Sequence, residues 1–195
     1  MLYAIRSTEM TAAEEKKALR KRIREQMRQL PELVNQEEKF ILDIRMHRAA
    51  QAHPWLQEAD LVLIYCSQRN EPDTRGLIGW LLYTGRHVAL PVCERDGIME
   101  FYLIRSMEEL RPGAFGILEP VTRMKPVLTD TTLCIVPGLA FSRDGTRLGK
   151  GGGFYDRFLA KHPGLRTMGL TYRCLLQEHI PCEIHDHPVN VVVTE

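Results

Sequence analysis

The sequence lacks any segment that could cross a membrane, and it has almost no net charge. No apolar run approaches the roughly 20 residues of a membrane helix. The formal net charge of +1 over 195 residues gives no overall field that would attract nucleic acid or an anionic membrane. The first residues also lack the apolar core of a signal peptide. These absences favour a cytoplasmic enzyme or binding protein without a nucleic-acid or membrane partner. We expect its partner to be a small-molecule substrate, and we expect a monomer.

Common metal-binding and nucleotide-binding signatures are missing as well. The five cysteines are odd in number, widely spaced and without a C-x-x-C pair, which argues against a disulfide framework and a structural zinc site. The sequence contains no G-x-G-x-x-G. The segment Gly145–Lys150 has neither the spacing of a P-loop nor a Ser or Thr after its lysine. Any nucleotide site must therefore be of another kind.

One stretch that is present, Cys134–Leu159, combines an apolar run, a long glycine-rich turn and a predicted helix that begins at Phe154. Five of the nine residues in Gly145–Gly153 are glycine, which lets backbone N–H groups approach an anion closely. Arg147 and Lys150 add positive charge, and the helix start adds its dipole. This pattern favours an anion-binding loop, and a flexible glycine-rich surface turn is the alternative.

Two helices are predicted before the first strand. A capping box at Thr11–Glu14 starts an amphipathic helix, in which apolar residues recur at helical spacing up to Pro31. Lys16 and Arg20 lie one turn apart on it, and they either belong to a solvated basic face or reach phosphates. The second helix is expected over Asn35–Gln51. Its predicted inward-facing residues are Phe40, Ile41, Ile44 and Ala49.

Continuous apolar runs predict the strands of a mainly parallel sheet. The predicted strands are Leu61–Tyr65, His87–Val92, Met99–Ile104, Leu133–Val136, Arg166–Thr171 and Val189–Thr194. Because helical segments alternate with them, we expect an α/β fold: a mainly parallel twisted sheet with helices on both faces, Rossmann-like and three-layered, with an N-terminal amphipathic helix. Residues 1–195 are expected to form a single domain with a disordered start at residues 1–10. Arg111–Pro120 is predicted to lack regular structure because of its prolines and glycines.

Acidic residues follow the first predicted strand. Glu71 and Asp73 come after its carboxyl end, which is where open α/β sheets bind ligands. The alternative is that Asp73 or Thr74 caps the next helix. Near the end of the chain, three histidines surround Asp186 without the spacing of a zinc protease, so a carboxylate on magnesium is favoured over a zinc site. These histidines are His179, His185 and His187.

The run Pro137–Leu159 closely resembles the most distinctive block of the 5-formyltetrahydrofolate cyclo-ligases, also called methenyltetrahydrofolate synthetases. Shorter motifs of that family occur in the same order across most of the chain. They are K-x-x-L-R at Lys16–Arg20, E-x-D-T at Glu71–Thr74, G-I-x-E-P at Gly116–Pro120 and H-D at His185–Asp186. Each short motif is weak alone, but their order and spacing around the glycine block make the resemblance specific.

The resemblance implies an ATP- and magnesium-dependent conversion of 5-formyltetrahydrofolate to 5,10-methenyltetrahydrofolate, with release of ADP and phosphate. The residues it implies for ATP binding are Lys16, Arg20, Arg147, Leu148, Gly149, Lys150, Gly151, Gly152, Gly153, Phe154 and Tyr155. The implied catalytic residues are Arg147 and Lys150. The implied folate contacts are Glu71, Asp73 and Phe154, whose ring would stack on the pterin. The implied magnesium ligands are Asp156 and Asp186.

Two positions depart from the family pattern. The family often has tyrosine where this chain has Phe154, and some members carry a lysine in place of Gly152. A non-catalytic folate or nucleotide binder is therefore one competing hypothesis. A phosphosugar-binding α/β protein is another, because related folds bind such ligands.

Overall fold

A computed structural model of the chain describes residues 10–33, 35–94, 97–113 and 116–195, apart from the side chains of residues 30–33. The helices in these ranges are α1 (Ala12–Leu33), α2 (Gln36–Ala52), α3 (Pro54–Glu58), α4 (Arg75–Tyr83) and α5 (Phe154–Lys161). The first five strands are β1 (Leu61–Ile64), β2 (His87–Cys93), β3 (Met99–Ile104), β4 (Leu110–Pro112) and β5 (Leu118–Pro120). The other five are β6 (Leu133–Val136), β7 (Ala140–Phe141), β8 (Arg147–Leu148), β9 (Arg166–Leu170) and β10 (Val191–Val193).

Six strands form the central sheet in the order β10-β9-β6-β1-β2-β3. All neighbours in it are parallel except β3, which runs antiparallel to β2 at one edge. In the middle of the sheet Val62 pairs with Val88 on one side and with Leu133 on the other. Because both faces of these strands are covered, their sequences are continuous apolar runs. The predicted mainly parallel sheet is confirmed.

Helices cover both faces of the sheet unequally. The first four helices pack on one face, where α1 contributes Leu19, Ile23 and Met27. On the other face α5 buries Phe158 and Leu159 against the strands. The chain therefore has the three-layer α/β architecture that the sequence predicts, and α5 reaches its face directly from the glycine-rich segment.

The first helix begins as predicted but ends later. In the capping box, N–H of Glu14 donates to Oγ1 of Thr11 at 3.3 Å, and N–H of Thr11 donates to Oε2 of Glu14 at 2.9 Å. The prediction that the helix stops at Pro31 is wrong, because α1 continues to Leu33. A proline in the last turn removes one backbone hydrogen bond without preventing the two residues after it from remaining helical.

The second helix presents a different face from the predicted one. Of the four residues expected to face inward, Phe40 and Ile41 have 63% and 41% of their surface exposed. Ile44 and Ala49 are half-buried. The buried residues of α2 are Asp43, Met46 and Ala50. The apolar residues are spread around this helix, so their pattern did not identify the contact face.

The segment predicted to be irregular contains a β-hairpin. Strands β4 and β5 pair antiparallel, with Leu110 opposite Pro120 and Pro112 opposite Leu118. The N–H of Gly113 donates to the carbonyl of Ile117 at 2.8 Å and closes the hairpin. Prolines are compatible with a ladder of only two strands, because an N–H on its outer edge needs no partner strand.

Candidate active site

The glycine-rich segment starts as a hairpin rather than as an open turn. Strands β7 and β8 pair antiparallel across a tight turn, in which Asp144 accepts hydrogen bonds from Oγ of Ser142 at 2.5 Å and from N–H of Thr146 at 2.9 Å. These two bonds hold the pKa of Asp144 below its ordinary value. Gly145 has φ of 89°, and a Cβ there would lie 2.0 Å from the carbonyl oxygen of Val189. Only glycine can therefore occupy the tip of this turn.

The hairpin places Arg147 in a buried ion pair. Its Nη2 donates to Oδ1 of Asp156 at 2.5 Å, with 5% and 18% of the two side chains exposed. A second nitrogen, Nη1, lies 3.4 Å from the carbonyl oxygen of Pro137. Asp156 stands in the first turn of α5, which Gly153 starts from the left-handed conformation, and it also accepts the N–H of His187 at 3.2 Å. Arg147, one of the two predicted catalytic cations, thus contacts Asp156, one of the two predicted magnesium ligands.

Two buried donor atoms, one of them on Arg147 itself, have no hydrogen-bond partner among the described residues. Among the described side chains, Nε of Arg147 and Oη of Tyr155 are the buried polar atoms without a hydrogen bond. Burial raises the pKa of Tyr155 well above its ordinary value, so its hydroxyl keeps its proton. An unpaired buried donor costs about 1–3 kcal/mol. A ligand that offers acceptor atoms at this point would remove that cost.

Lys16 crosses from α1 to the segment that precedes β10. Its Nζ, which is almost completely buried, contacts Oε2 of Glu183 at 2.8 Å and also Oδ2 of Asp186. Burial alone would lower the pKa of Lys16, but the two carboxylates raise it overall. Burial would likewise raise the pKa of Asp186, but hydrogen bonds from Lys16 and from N–H of Glu183 lower it overall. Lys16, a predicted ATP contact, and Asp186, a predicted magnesium ligand, are therefore both charged near neutral pH.

Two arginines of α1 donate hydrogen bonds to backbone carbonyls of the glycine-rich loop. Nε of Arg20 donates to the carbonyl of Gly149 at 2.9 Å, and Nη2 of Arg24 donates to the carbonyl of Lys150 at 3.2 Å. The spacing of four residues puts both arginines on one side of the helix. Arg20 was among the predicted site residues. Arg24 was missed, although it repeats the same spacing one turn further along.

Lys150 joins the glycine-rich loop to the acidic loop after β1. Its Nζ lies 2.5 Å from Oε1 of Glu71 and 3.0 Å from Oε1 of Gln68. The other oxygen of Glu71 accepts the N–H of Gln68 at 2.8 Å. Glu71 is buried, whereas Lys150 is about half exposed and can turn away. Lys150, a predicted phosphate contact, and Glu71, a predicted folate contact, therefore form an ion pair with each other.

Asp73 caps α4, as the alternative interpretation of this residue stated. Its carboxylate accepts the N–H groups of Arg75 at 3.2 Å and of Gly76 at 2.9 Å. Nε2 of His47 lies 3.7 Å from the same carboxylate and 2.6 Å from the backbone carbonyl of Asp73. Thr74 makes no capping bond with its side chain. Any folate contact by Asp73 would therefore add to a structural role.

Sequence reasoning missed the residue that holds this acidic loop. Asp43 of α2 is buried, and its Oδ1 accepts Oη of Tyr172 at 2.7 Å and N–H of Asp73 at 3.0 Å. Its Oδ2 pairs with Nζ of Lys39 at 2.7 Å. The available signal was an acidic residue one turn before Met46 on the buried side of α2. Asp43 thereby connects α2 to the loop that carries Glu71.

The remaining predicted residues differ in what they expose. The side chain of Leu148 lies wholly in the core, and its carbonyl accepts the N–H of Leu139 at 2.8 Å. Gly151 and Gly152 are exposed, and a Cβ on Gly152 would come within 2.9 Å of the ring of Phe154. Phe154 is half-buried. The loop therefore offers backbone and an aromatic ring, rather than aliphatic side chains, to a ligand.

The donor set fits magnesium bound together with phosphates. Oδ2 of Asp156 accepts no hydrogen bond from a described residue, so this carboxylate keeps one oxygen available. Magnesium is usually held by one or two carboxylates plus phosphate oxygens and water. Within the described ranges, no group of three or more His, Cys, Asp or Glu side chains is arranged to hold a metal. Nor is any helix in them long and apolar enough to span a membrane.

Comparisons with known proteins agree on one family. A family model described as the 5-formyltetrahydrofolate cyclo-ligase family matches residues 12–195. The 5-formyltetrahydrofolate cyclo-ligase of Escherichia coli K12 is 36% identical over 148 residues, which cover 73% of this chain and 81% of that protein. The mouse 5-formyltetrahydrofolate cyclo-ligase is 25% identical over 203 residues, covering 95% of this chain and 96% of the relative.

Solved structures that resemble this chain belong to the same family of proteins. The NMR structure of Aquifex aeolicus 5,10-methenyltetrahydrofolate synthetase superposes with a TM-score of 0.76 at 30% identity, covering 92% of this chain and 89% of that one. The 5,10-methenyltetrahydrofolate synthetase of Mycoplasma pneumoniae, at 18% identity and a TM-score of 0.69, shares the fold. The match over almost the whole length, by sequence and by fold, shows that the chain belongs to the 5-formyltetrahydrofolate cyclo-ligase family.

Proposed function

We propose that this chain catalyses the ATP-dependent closure of 5-formyltetrahydrofolate to 5,10-methenyltetrahydrofolate. The observation that carries the proposal is a set of three ion pairs between the predicted phosphate-binding cations and the predicted metal- and folate-binding carboxylates. The pairs are Arg147 with Asp156, Lys16 with Asp186, and Lys150 with Glu71. They bring together α1, the loop after β1, the glycine-rich segment and the segment before β10. Such a mixture of charges suits a site for a polyanion, a metal ion and a second substrate.

The reaction needs positioning and charge neutralisation rather than a protein nucleophile. The formyl oxygen attacks the γ-phosphorus and displaces ADP, which leaves at N5 a formyl carbon whose oxygen carries the phosphoryl group. N10 then attacks that carbon, loses its proton, and phosphate departs with the formyl oxygen. Negative charge gathers on the phosphoryl oxygens in the first step. In this proposal Arg147 and Lys150 stabilise it, and removing one such contact typically costs about 3 kcal/mol.

We further infer that ATP binds by exchanging partners within the ion pairs. In the structure Lys16 and Arg147 are each neutralised by a carboxylate, and these two ion pairs hold the site together. When phosphates bind, they take over Lys16 and Arg147, and Asp186 and Asp156 are released. These two carboxylates would then hold magnesium, which supplies further neutralisation of the phosphate charge. The unpaired Nε of Arg147 gains an acceptor in the same step.

The second substrate is proposed to occupy the side of the site formed by Glu71 and Phe154. When Lys150 turns toward phosphate, the buried carboxylate of Glu71 becomes free to accept N–H groups of the pterin. The half-buried ring of Phe154 offers an aromatic surface for stacking. In this proposal the protein works as a cytoplasmic monomer on small molecules, and sedimentation of the purified chain tests the monomer.

The test is a direct assay. Purified protein with ATP, magnesium and 5-formyltetrahydrofolate should produce the absorbance of the methenyl folate together with ADP, and omission of ATP should abolish both. Tight folate binding without ADP release would instead support a non-catalytic binder. Binding of a sugar phosphate with no product from folate would support the phosphosugar hypothesis. Absence of the methenyl product under all conditions would refute the proposed activity.

A further inference from the structure

The loop after β1, residues 67–73, carries the buried carboxylate of Glu71, and side-chain hydrogen bonds join its two ends. The N–H of Ser67 donates to Oγ1 of Thr74 at 2.9 Å, and the N–H of Thr74 donates to Oγ of Ser67 at 3.0 Å. Oγ1 of Thr74 donates in turn to the carbonyl of Tyr65 at 2.6 Å. These bonds close the loop, but none of them involves Glu71.

Helix α2 holds Asp73 by both of its backbone groups. Oδ1 of Asp43 accepts the N–H of Asp73 at 3.0 Å, and Nε2 of His47 donates to the carbonyl of Asp73 at 2.6 Å. Asp43 and His47 lie four residues apart, so they project from the same side of α2. The backbone two residues after Glu71 therefore cannot shift without breaking contacts to α2.

Asp43 accepts from three donors that belong to three parts of the fold. Besides the N–H of Asp73, its Oδ1 accepts Oη of Tyr172 at 2.7 Å, and its Oδ2 pairs with Nζ of Lys39 at 2.7 Å. Tyr172 is wholly buried just past β9, and its Oη lies 3.5 Å from the carbonyl oxygen of Glu71. A carboxylate accepts through both oxygens and suits all three donors, whereas an asparagine would turn its NH₂ group toward at least one of them.

Negative charge is concentrated around this loop. Glu71, Asp73 and Asp43 bring three carboxylates close together. Burial, and then the charges of these three groups, raise the pKa of the nearby Tyr65 well above its ordinary value. Like charges repel, and water stabilises a carboxylate better than the interior does. The side chain of Glu71 is nevertheless only 8% exposed, so a fixed backbone is needed, beside the ion pair with Lys150, to keep it from turning outward.

We infer that Asp43 is a positioning residue for the folate substrate, which acts through Glu71 and does not itself touch the ligand. The inference rests on the proposed function, since it needs Glu71 as a folate contact. Asp43 fixes the backbone of the loop, so the carboxylate of Glu71 still faces the site when Lys150 moves to phosphate. Tyr172 supports it by holding the same oxygen of Asp43. Loss of either side chain should therefore weaken the binding of folate and leave the binding of ATP unchanged.

The experiment is a double-variant cycle on the binding of 5-formyltetrahydrofolate, measured by calorimetry with a non-hydrolysable ATP analogue at saturation. The proteins are wild type, Asp43→Asn, Tyr172→Phe, Glu71→Gln and the two double variants that contain Glu71→Gln. Losing a hydrogen bond to a charged group weakens binding about tenfold, so Asp43→Asn should raise the folate Kd about tenfold and Tyr172→Phe by a smaller factor. In the Glu71→Gln background neither should have a further effect, because both act through Glu71. The Kd of the ATP analogue should stay the same throughout.

Thr132→Val is the matched control for a purely structural loss. Oγ1 of the buried Thr132 accepts the N–H of Thr129 at 2.8 Å, just before the amino end of β6 and thus at the opposite ends of the parallel strands from the loop. This variant should lower Tm, as Tyr172→Phe does, without changing the folate Kd. Tyr172→Phe leaves the pair of Asp43 with Lys39 in place, so it carries the test if Asp43→Asn does not fold.

The contrary results are distinct from one another. If the variants at Asp43 and Tyr172 lower Tm but bind folate as tightly as wild type, the inference is overturned while the proposed activity stands. Effects that multiply with that of Glu71→Gln would overturn it too, because Asp43 would then act independently of Glu71. If wild type binds folate but forms no methenyl product, the proposed function itself fails, and the inference fails with it.

Discussion

Replacing Asp156 by asparagine should destabilise the ligand-free protein as well as impair catalysis. The pair with Arg147 is buried, with 5% and 18% of the two side chains exposed. Removing one partner of a buried pair typically costs about 3–5 kcal/mol, because the other charge stays in the interior. Asparagine keeps an oxygen for Nη2 of Arg147 and for N–H of His187, so we expect a loss near the lower limit. In a protein of this size that loss lowers Tm by about 6–12 °C.

A double variant separates the charge effect from general damage. Arg147→Met combined with Asp156→Asn removes both charges, and a buried pair replaced by uncharged groups often costs little stability. Thermal and urea unfolding should therefore show the double variant more stable than either single variant, although it remains inactive. The exposed Asp130→Asn is the control and should unfold like wild type. A Tm of Asp156→Asn within about 2 °C of wild type, or additive losses in the double variant, would refute the reasoning.

The same variant tests the metal proposal through a different measurement. If Asp156 holds magnesium once phosphate has taken over Arg147, Asp156→Asn should need more magnesium to reach half of its maximal rate. A titration of magnesium at saturating ATP measures this shift. An unaltered magnesium requirement would leave Asp156 as a partner of Arg147 alone.

Four further predictions concern other parts of the site. Arg147→Ala should lower kcat/KM for ATP roughly a hundredfold, with folate binding measured separately by calorimetry and nearly unchanged. Gly145→Ala should fail to fold or lose several degrees of Tm, because the new Cβ would overlap a backbone carbonyl 2.0 Å away; wild-type stability would contradict this. Tyr172→Phe should cost about 1.5–3 kcal/mol in urea unfolding, since it removes a buried hydrogen bond to the charged Asp43. The pKa of Asp144 is lowered in the folded state, so its stabilising effect exists above the unfolded pKa of about 3.9 and disappears as the pH falls through the folded value. The stability difference between wild type and Asp144→Asn should accordingly shrink below about pH 4, and a constant difference would count against the turn bonds.

The central strands β1 and β6 could be predicted because each is buried along its whole length. The runs Leu61–Tyr65 and Leu133–Val136 differ by at most one residue from β1 and β6. The start of α5 at Phe154 also follows from local chemistry, since the glycines before it cannot support a regular element. In these segments local preference and tertiary packing agree, so the amino-acid pattern alone is sufficient.

Other features depend on contacts between distant residues, which a pattern cannot reveal. The inward face of α2 is set partly by Asp43, whose partner Tyr172 is 129 positions away in the sequence. The ion pairs of the site also join residues far apart in the sequence. Lys16 contacts Asp186, which is 170 positions away. The sequence resemblance named both residues for ATP and metal but could not indicate that they contact each other. Their pairing follows from the topology, which brings α1 beside the segment before β10.

Three cations of α1 contact the site, and the rise of the helix sets the distances between them along the glycine-rich loop. Lys16, Arg20 and Arg24 recur every four residues, and four residues advance about 6 Å along a helix. Each contacts a different target, from Asp186 at one end to the carbonyl of Lys150 at the other. One inserted residue between them would rotate the later cations by roughly 100° and point them away from the loop. The length of α1 between residues 16 and 24 is therefore more tightly constrained than the identity of the side chains on its outer surface.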